Sequence, residues 1–139
     1  MIRFARRIVL STVIGCVCTT QAAPPPTTPP APPPPTQLPV PCQIGGCANN
    51  PSFVSSGTAT AVAKGTNLTV NQTSNSATLN WASFNIGASG SVVFQQPTSS
   101  AVALNRIYDA NPSSIFGSLS ANGQIYLINA NGFIFGATS

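Results

Sequence analysis

From residue 53 onward, single apolar residues alternate with Ser, Thr, Asn, Gln and Gly, and no long stretch repeats its apolar positions at helical spacing. The alternation predicts short strands over residues 58–63, 67–71, 77–81, 83–86, 91–95, 101–107, 124–129 and 132–135. Breakers stand between them: Gly65, the Gly87-Ala88-Ser89-Gly90 run, Pro97, Asn111-Pro112, Asn122-Gly123 and Asn131-Gly132. Good helix formers and helix caps are both lacking, so the expected class is all-β.

Two features point from a sandwich toward a solenoid. Ser114-Ile115-Phe116-Gly117 returns as Phe133-Ile134-Phe135-Gly136, an echo at an offset of 19 residues. That is close to one coil of a β-solenoid, whose repeats begin near about 20 residues. Asn, Ser and Thr are abundant and charge is nearly absent, which suits stacked coils with hydrogen-bonded polar ladders. Neither feature excludes a sandwich. Strands this neutral need protected edges, because little on them repels a second chain. Residues 58–63 and 67–71, split by Lys64-Gly65-Thr66, form the expected hairpin over the first coil.

The front of the chain has a different composition. Arg3, Arg6 and Arg7 precede an apolar run, Ile8 to Cys18, too short for a stable membrane span, and residues 1–22 read as an export signal cleaved after Ala22. Val13-Ile14-Gly15-Cys16 also reads as a lipobox, in which Cys16 would carry lipid and become the mature N-terminus. Residues 23–52 follow as a Pro-rich linker. Its run from Pro24 to Pro41 is uncharged, and the expected state is a disordered, polyproline-like spacer. Cys42 and Cys47 enclose two glycines, Gly45 and Gly46, so the short loop can bend back into a local disulfide in an oxidising compartment. The domain proper is expected over residues 53–139.

Past the signal, only Lys64, Arg106 and Asp109 carry side-chain charge. The basic excess belongs to the signal, and no patch remains for phosphate-driven binding of nucleic acid. The chain has no histidine and one carboxylate side chain. Paired-carboxylate hydrolysis, a Ser-His-Asp relay and a metal-activated water all need groups it lacks. No cofactor, no metal site and no enzymatic activity are expected.

The stretch LNWASFNIGASGSVVFQQPTSSAVALNRI, Leu79 to Ile107, followed by GSLSANGQIYLINANGFIFG, Gly117 to Gly136, resembles the amino-terminal secretion domain of filamentous haemagglutinin-type exoproteins. The likeness spans residues 53–139. It implies a two-partner secretion domain of a Gram-negative exoprotein that leaves the inner membrane through the general export machinery. A dedicated outer-membrane β-barrel transporter, with periplasmic recognition domains, would then recognise it. The implied fold is a right-handed parallel β-helix with a capped N-terminus that seeds further coils outside the cell. The implied location is secreted or cell-surface, reached through the periplasm. Adhesion, haemolysis or contact-dependent toxicity, and any ligand on a host or neighbouring cell, would come from downstream sequence.

The family's Asn-Pro-Asn-Gly signature stands here as Asn129-Ala130-Asn131-Gly132, followed by Phe133, Ile134, Phe135 and Gly136. Asn and Gly tolerate positive φ, and asparagine side chains bond their own backbone, so the segment is a turn with or without the proline. Losing proline's fixed φ costs about 0.4–1 kcal/mol through the unfolded state. Asn129, Asn131, Gly132, Phe133, Phe135 and Gly136 are therefore read both as a solenoid corner and as candidate contacts for the transporter. Arg106 is read either as a surface partner of Asp109, worth little, or as a transporter contact. Trp81 and Phe84 are expected in the core beneath the cap. At about 20 residues per coil, residues 53–139 supply about four coils including the cap, with the last uncovered. The expectation is thus a truncated domain. The alternative is a small surface adhesin or lipoprotein tethered through Cys16 on a Pro-rich stalk.

Overall fold

The structure, a computed structural model, describes residues 31–43 and 46–139. The export signal and Cys16 lie outside the described residues. The strands in chain order are β1 (Val40–Pro41), β2 (Val54–Ser56), β3 (Ala59–Lys64), β4 (Asn67–Gln72), β5 (Ser76–Ser83), β6 (Ser91–Gln95), β7 (Val102–Ile107), β8 (Ser113–Ile115), β9 (Ser118–Ala121), β10 (Gln124–Asn129) and β11 (Phe133–Phe135). No helix occurs among the described residues.

Pairing is parallel wherever strands of successive passes meet. β4, β6 and β9 form one stack, β5, β7 and β10 a second, and β8 and β11 a third. A parallel bridge from Ile86 to Ile115 extends the third stack to the first pass. Each pass therefore visits three faces in turn, and three passes lie on one another. The rise from pass to pass is 24 residues from Asn67 to Ser91, 22 from Val102 to Gln124, and 20 from Ser113 to Phe133. The sequence echo at 19 residues thus falls in the correct coil but one residue out of register: Ile115 pairs with Phe135, not with Ile134. Backbone pairing, not the Ile-Phe-Gly echo, sets the rung.

The register explains the core. Leu68 and Val92, Val70 and Phe94, and Ala77 and Ala103 sit in the same inward columns, and all are buried. In parallel coils a column keeps one side of the sheet, so alternation in one strand is repeated in the next. Trp81 and Phe84 are fully buried and meet edge to face at 5.2 Å, and Phe53 packs on Trp81 at 5.0 Å. Truncating an aromatic in such a site costs about 3–5 kcal/mol.

One inward column contains a polar residue. Asn105 is fully buried between Leu79 and Leu127 in register. Its Oδ1 accepts from Trp81 Nε1 at 2.9 Å, and its Nδ2 donates to the carbonyls of Ala103 and Tyr126 at 3.2 and 3.3 Å. A buried amide costs little when its bonds are made. At a corner, Gln96 Nε2 donates to Gln72 Oε1 and to the carbonyls of Ala101 and Gln124, linking the coils.

The cap takes two forms. β3 pairs antiparallel with β4, from Ala59↔Gln72 to Lys64↔Asn67, and covers the open edge of the first stack. That is the hairpin expected from residues 58–63 and 67–71. The second stack is covered by β1 and β2, which pair antiparallel with different parts of β5. Here the expectation of a disordered spacer is corrected for its final part. Pro39 and Cys42 are buried, and Leu38 packs against the core. A proline run cannot build a core by itself, but it can lie on one: its extended backbone already matches a strand edge and leaves its carbonyls free to accept. At the opposite end β9, β10 and β11 each have, among the described residues, a partner on one side only.

Candidate functional site at the turn corner

The turn after β10 is built from its own amide side chains. Asn129 Oδ1 accepts from the Asn131 amide at 2.8 Å, and the Gly132 amide donates to the Asn129 carbonyl at 3.1 Å. Gly132 has φ of +86°, and an added Cβ there would meet nothing within 4 Å. Backbone conformation, not space, requires glycine.

One pass earlier the same device recurs. Asp109 Oδ1 accepts from the Asn111 amide at 2.9 Å and from Asn111 Nδ2 at 3.1 Å. The two turns are bonded rung to rung: Asn131 Nδ2 donates to the Asp109 carbonyl at 2.8 Å, and Asn129 Nδ2 donates to the Asn111 carbonyl at 3.1 Å and to Ser113 Oγ at 2.9 Å. In the pass above, Asn85 Oδ1 accepts from the Ser114 amide at 2.7 Å. The corner is a ladder of short polar side chains that satisfies backbone groups which no strand can reach.

Asp109, Asn111, Ser113 and Asn85 were not singled out as site residues by sequence reading. Their signal was present: Asp109-Ala110-Asn111 returns as Asn129-Ala130-Asn131 at the 20-residue spacing of this corner. Asp109 also settles the fate of Arg106. Its carboxylate serves Asn111, and among the described residues Arg106 makes no ion pair. Arg106 is exposed on β7, in register with Asn80 and Ile128, outside the turn ladder.

Phe133 and Phe135 follow the turn on β11 with rings 6.4 Å apart and nearly parallel. Phe133 packs against the core, whereas Phe135 is 67% exposed. Gly136 lies against the Phe116 ring, and its amide donates to the Ile115 carbonyl at 2.8 Å. The ladder brings together Asn129, Asn131 and Gly132, with Phe133 and Phe135 adjoining. A cleft of about 270 Å³ lies beside it, lined by Pro33, Gln37, Asn85, Asp109, Asn111 and Ser114 among others. Cys42 and Cys47 are disulfide-bonded, with Cα atoms 5.6 Å apart, at the first pass. Among the described residues no cluster of metal-ligating side chains occurs. The corner's groups are hydrogen-bond donors and acceptors plus an apolar shelf, which suits recognition of a polypeptide.

Comparison with known proteins shows the family of the chain. The family model of the TPS secretion domain matches residues 48–139. A heme/hemopexin-binding protein of Haemophilus influenzae is 48% identical over 67 residues, covering 48% of this chain and 7% of that protein. A heme/hemopexin-binding protein of the Haemophilus influenzae Rd strain is 43% identical over 70 residues, covering 50% of this chain and 8% of that protein. The solved HMW1 secretion domain of Haemophilus influenzae superposes with a TM-score of 0.56 at 35% identity, over 60% of this chain and 22% of that one. The chain spans less than a tenth of the length of these two relatives. It belongs to the TPS secretion domain family and carries the two-partner secretion domain of an exoprotein.

Proposed function

We propose that this member of the TPS secretion domain family is a targeting module: an outer-membrane β-barrel transporter binds it in the periplasm, and it then seeds a right-handed parallel β-helix outside the cell. The family match over residues 48–139 is the observation that carries this reading. The general export machinery delivers the chain to the periplasm, and the product is secreted or held at the cell surface. The transporter's periplasmic recognition domains engage the corner formed by Asn129, Asn131 and Gly132, with Phe133 and Phe135 as the apolar shelf and Gly136 closing it. Arg106 lies on the neighbouring face and adds a cationic contact. No step of this function needs a bond to be made or broken, so the module acts by binding and by templated folding.

The physical logic is directional. The hairpin and β1 with β2 cover the upper strand edges, so pairing is left to β9, β10 and β11. Unpaired amides and carbonyls there template a following strand. Coils formed outside cannot slide back through a pore that passes an extended chain, so folding biases transit outward. What the exoprotein binds is a separate matter; two of the relatives are heme/hemopexin-binding proteins, and that activity is a proposal for a longer chain only.

The test is transfer. An exported passenger fused to residues 23–139 is expected in the medium when a two-partner transporter from the same genome is co-expressed, and in the periplasm without it. Secretion that persists after deletion of residues 53–139 would refute the assignment.

A further inference from the structure

The family match begins at residue 48, yet the chain before it is packed into the domain. The Gln37 carbonyl accepts from the Gly87 amide at 2.9 Å, the Pro35 carbonyl accepts from the Ser89 amide at 2.8 Å, and the Cys42 amide donates to the Asn80 carbonyl at 2.9 Å. The Gly87–Gly90 loop is shaped for this segment. A Cβ on Gly87 would collide with the Pro34 and Pro35 backbone, and one on Gly90 would lie 3.0 Å from the Gln37 carbonyl. At Gly87 the backbone is too close for any side chain, and at Gly90 the contact is tight. Pro35, Gln37 and Cys42 thus meet a row of two donors and an acceptor along the first pass.

The fastening is at one end. Val40 and Pro41 pair with Ser83 and Trp81 on β5, and Val54 pairs with Leu79 on the same strand. The segment joining them contains the Cys42–Cys47 disulfide, at a sequence separation of 5. That ring shortens the free tether between two strands that share one edge.

We propose that residues 34–42 are a disulfide-fastened latch: a cap on the first pass that docks on the Gly87–Gly90 loop and the β5 edge, and opens when Cys42–Cys47 is reduced. Closure is a thiol–disulfide exchange. The Cys42 and Cys47 thiols form one S–S bond and give up two electrons and two protons, and a disulfide oxidant of the periplasm is reduced to two thiols. Opening by a dithiol or phosphine reductant reverses that balance. In a reducing compartment the latch stays off and the Trp81–Ser83 end of the β5 edge is bare, while β2 still covers Thr78 and Leu79; in an oxidising one that end is sealed. The inference does not depend on recognition by a transporter.

Hydrogen exchange on the exported chain tests it. The Gly87 and Ser89 amides report the latch, and the Tyr108 and Gly136 amides, bonded to Trp81 and Ile115 carbonyls, report the coils. Chain entropy for so short a ring gives a factor of roughly 40, so at least a roughly ten-fold faster exchange is expected at Gly87 and Ser89 after reduction with a phosphine. Tyr108 and Gly136 should change less than about two-fold. Gly87→Val, which keeps the disulfide, should free Ser89 in the same way. Unchanged exchange at Ser89 after reduction overturns the disulfide-fastened latch, whatever Gly87→Val does. So does loss of protection at all four amides together, because the segment would then be inseparable from the coils.

Discussion

Replacing Asn129 by Ala removes three hydrogen bonds and leaves the backbone free to keep its turn. The lost bonds are Nδ2 to the Asn111 carbonyl, Nδ2 to Ser113 Oγ, and the Asn131 amide to Oδ1, at 3.1, 2.9 and 2.8 Å. A net hydrogen bond is worth about 0.5–1.5 kcal/mol, and two of these three are solvent-exposed, so the sum falls near the low end at about 2 kcal/mol. The loss has a second part, because Ser113 is fully buried and its Oγ keeps no other partner among the described residues. The assay is equilibrium unfolding in urea followed by Trp81 fluorescence, the chain having one tryptophan. Asn131→Ala, which removes an exposed bond to the Asp109 carbonyl, should cost less, about 0.5–1 kcal/mol. Because both residues belong to one ladder, the double variant should depart from additivity by at least about 0.5 kcal/mol. A cost for Asn129→Ala below about 0.5 kcal/mol would refute the claim that this side chain ties one coil to the next.

Other expectations follow from the same geometry. Ala130→Pro should stabilise by about 0.4–1 kcal/mol in the same urea assay, since Asn129 before it is already extended and the Ala130 amide has no partner among the described residues. Asn105→Ala strips the acceptor from the buried Trp81 Nε1 and opens a polar void, and should cost about 2–4 kcal/mol with a shifted tryptophan emission maximum. Gly136→Ala forces the Phe116 ring to move; a cost of about 1–3 kcal/mol is expected from thermal unfolding monitored by circular dichroism.

How much was legible in the sequence depended on strand length and on partner distance. β6 and β10 are strands of five and six residues with clean alternation, and their bounds were read directly. β8 and β9 are three and four residues long and were missed: in β8 the buried polar Ser113 and Ser114 break the alternation rule, and in β9 Leu119 is the one large apolar residue. Of the predicted strand over 83–86, Ser83 ends β5 and Ile86 makes a single bridge, since the chain turns a corner between them. β1 was hidden for a different reason: proline carries no alternation signal, and its partner β5 begins some 35 residues later. At the corner, positive φ at Gly132 and the Asn129 turn were readable from local chemistry. The bonds from Asn129 and Asn131 to Asn111 and Asp109 were not, because they require the 20-residue register that only pairing reveals.

Site-specific photocrosslinking tests the central claim most directly. A benzophenone side chain at exposed Ala130, in the corner turn, is compared with one at Val62, exposed on the capping hairpin, in cells that express the outer-membrane transporter. The account predicts a crosslink to the transporter's periplasmic domains from position 130 and none from position 62. A crosslink from 62 alone, or none from 130 while secretion proceeds, would contradict it.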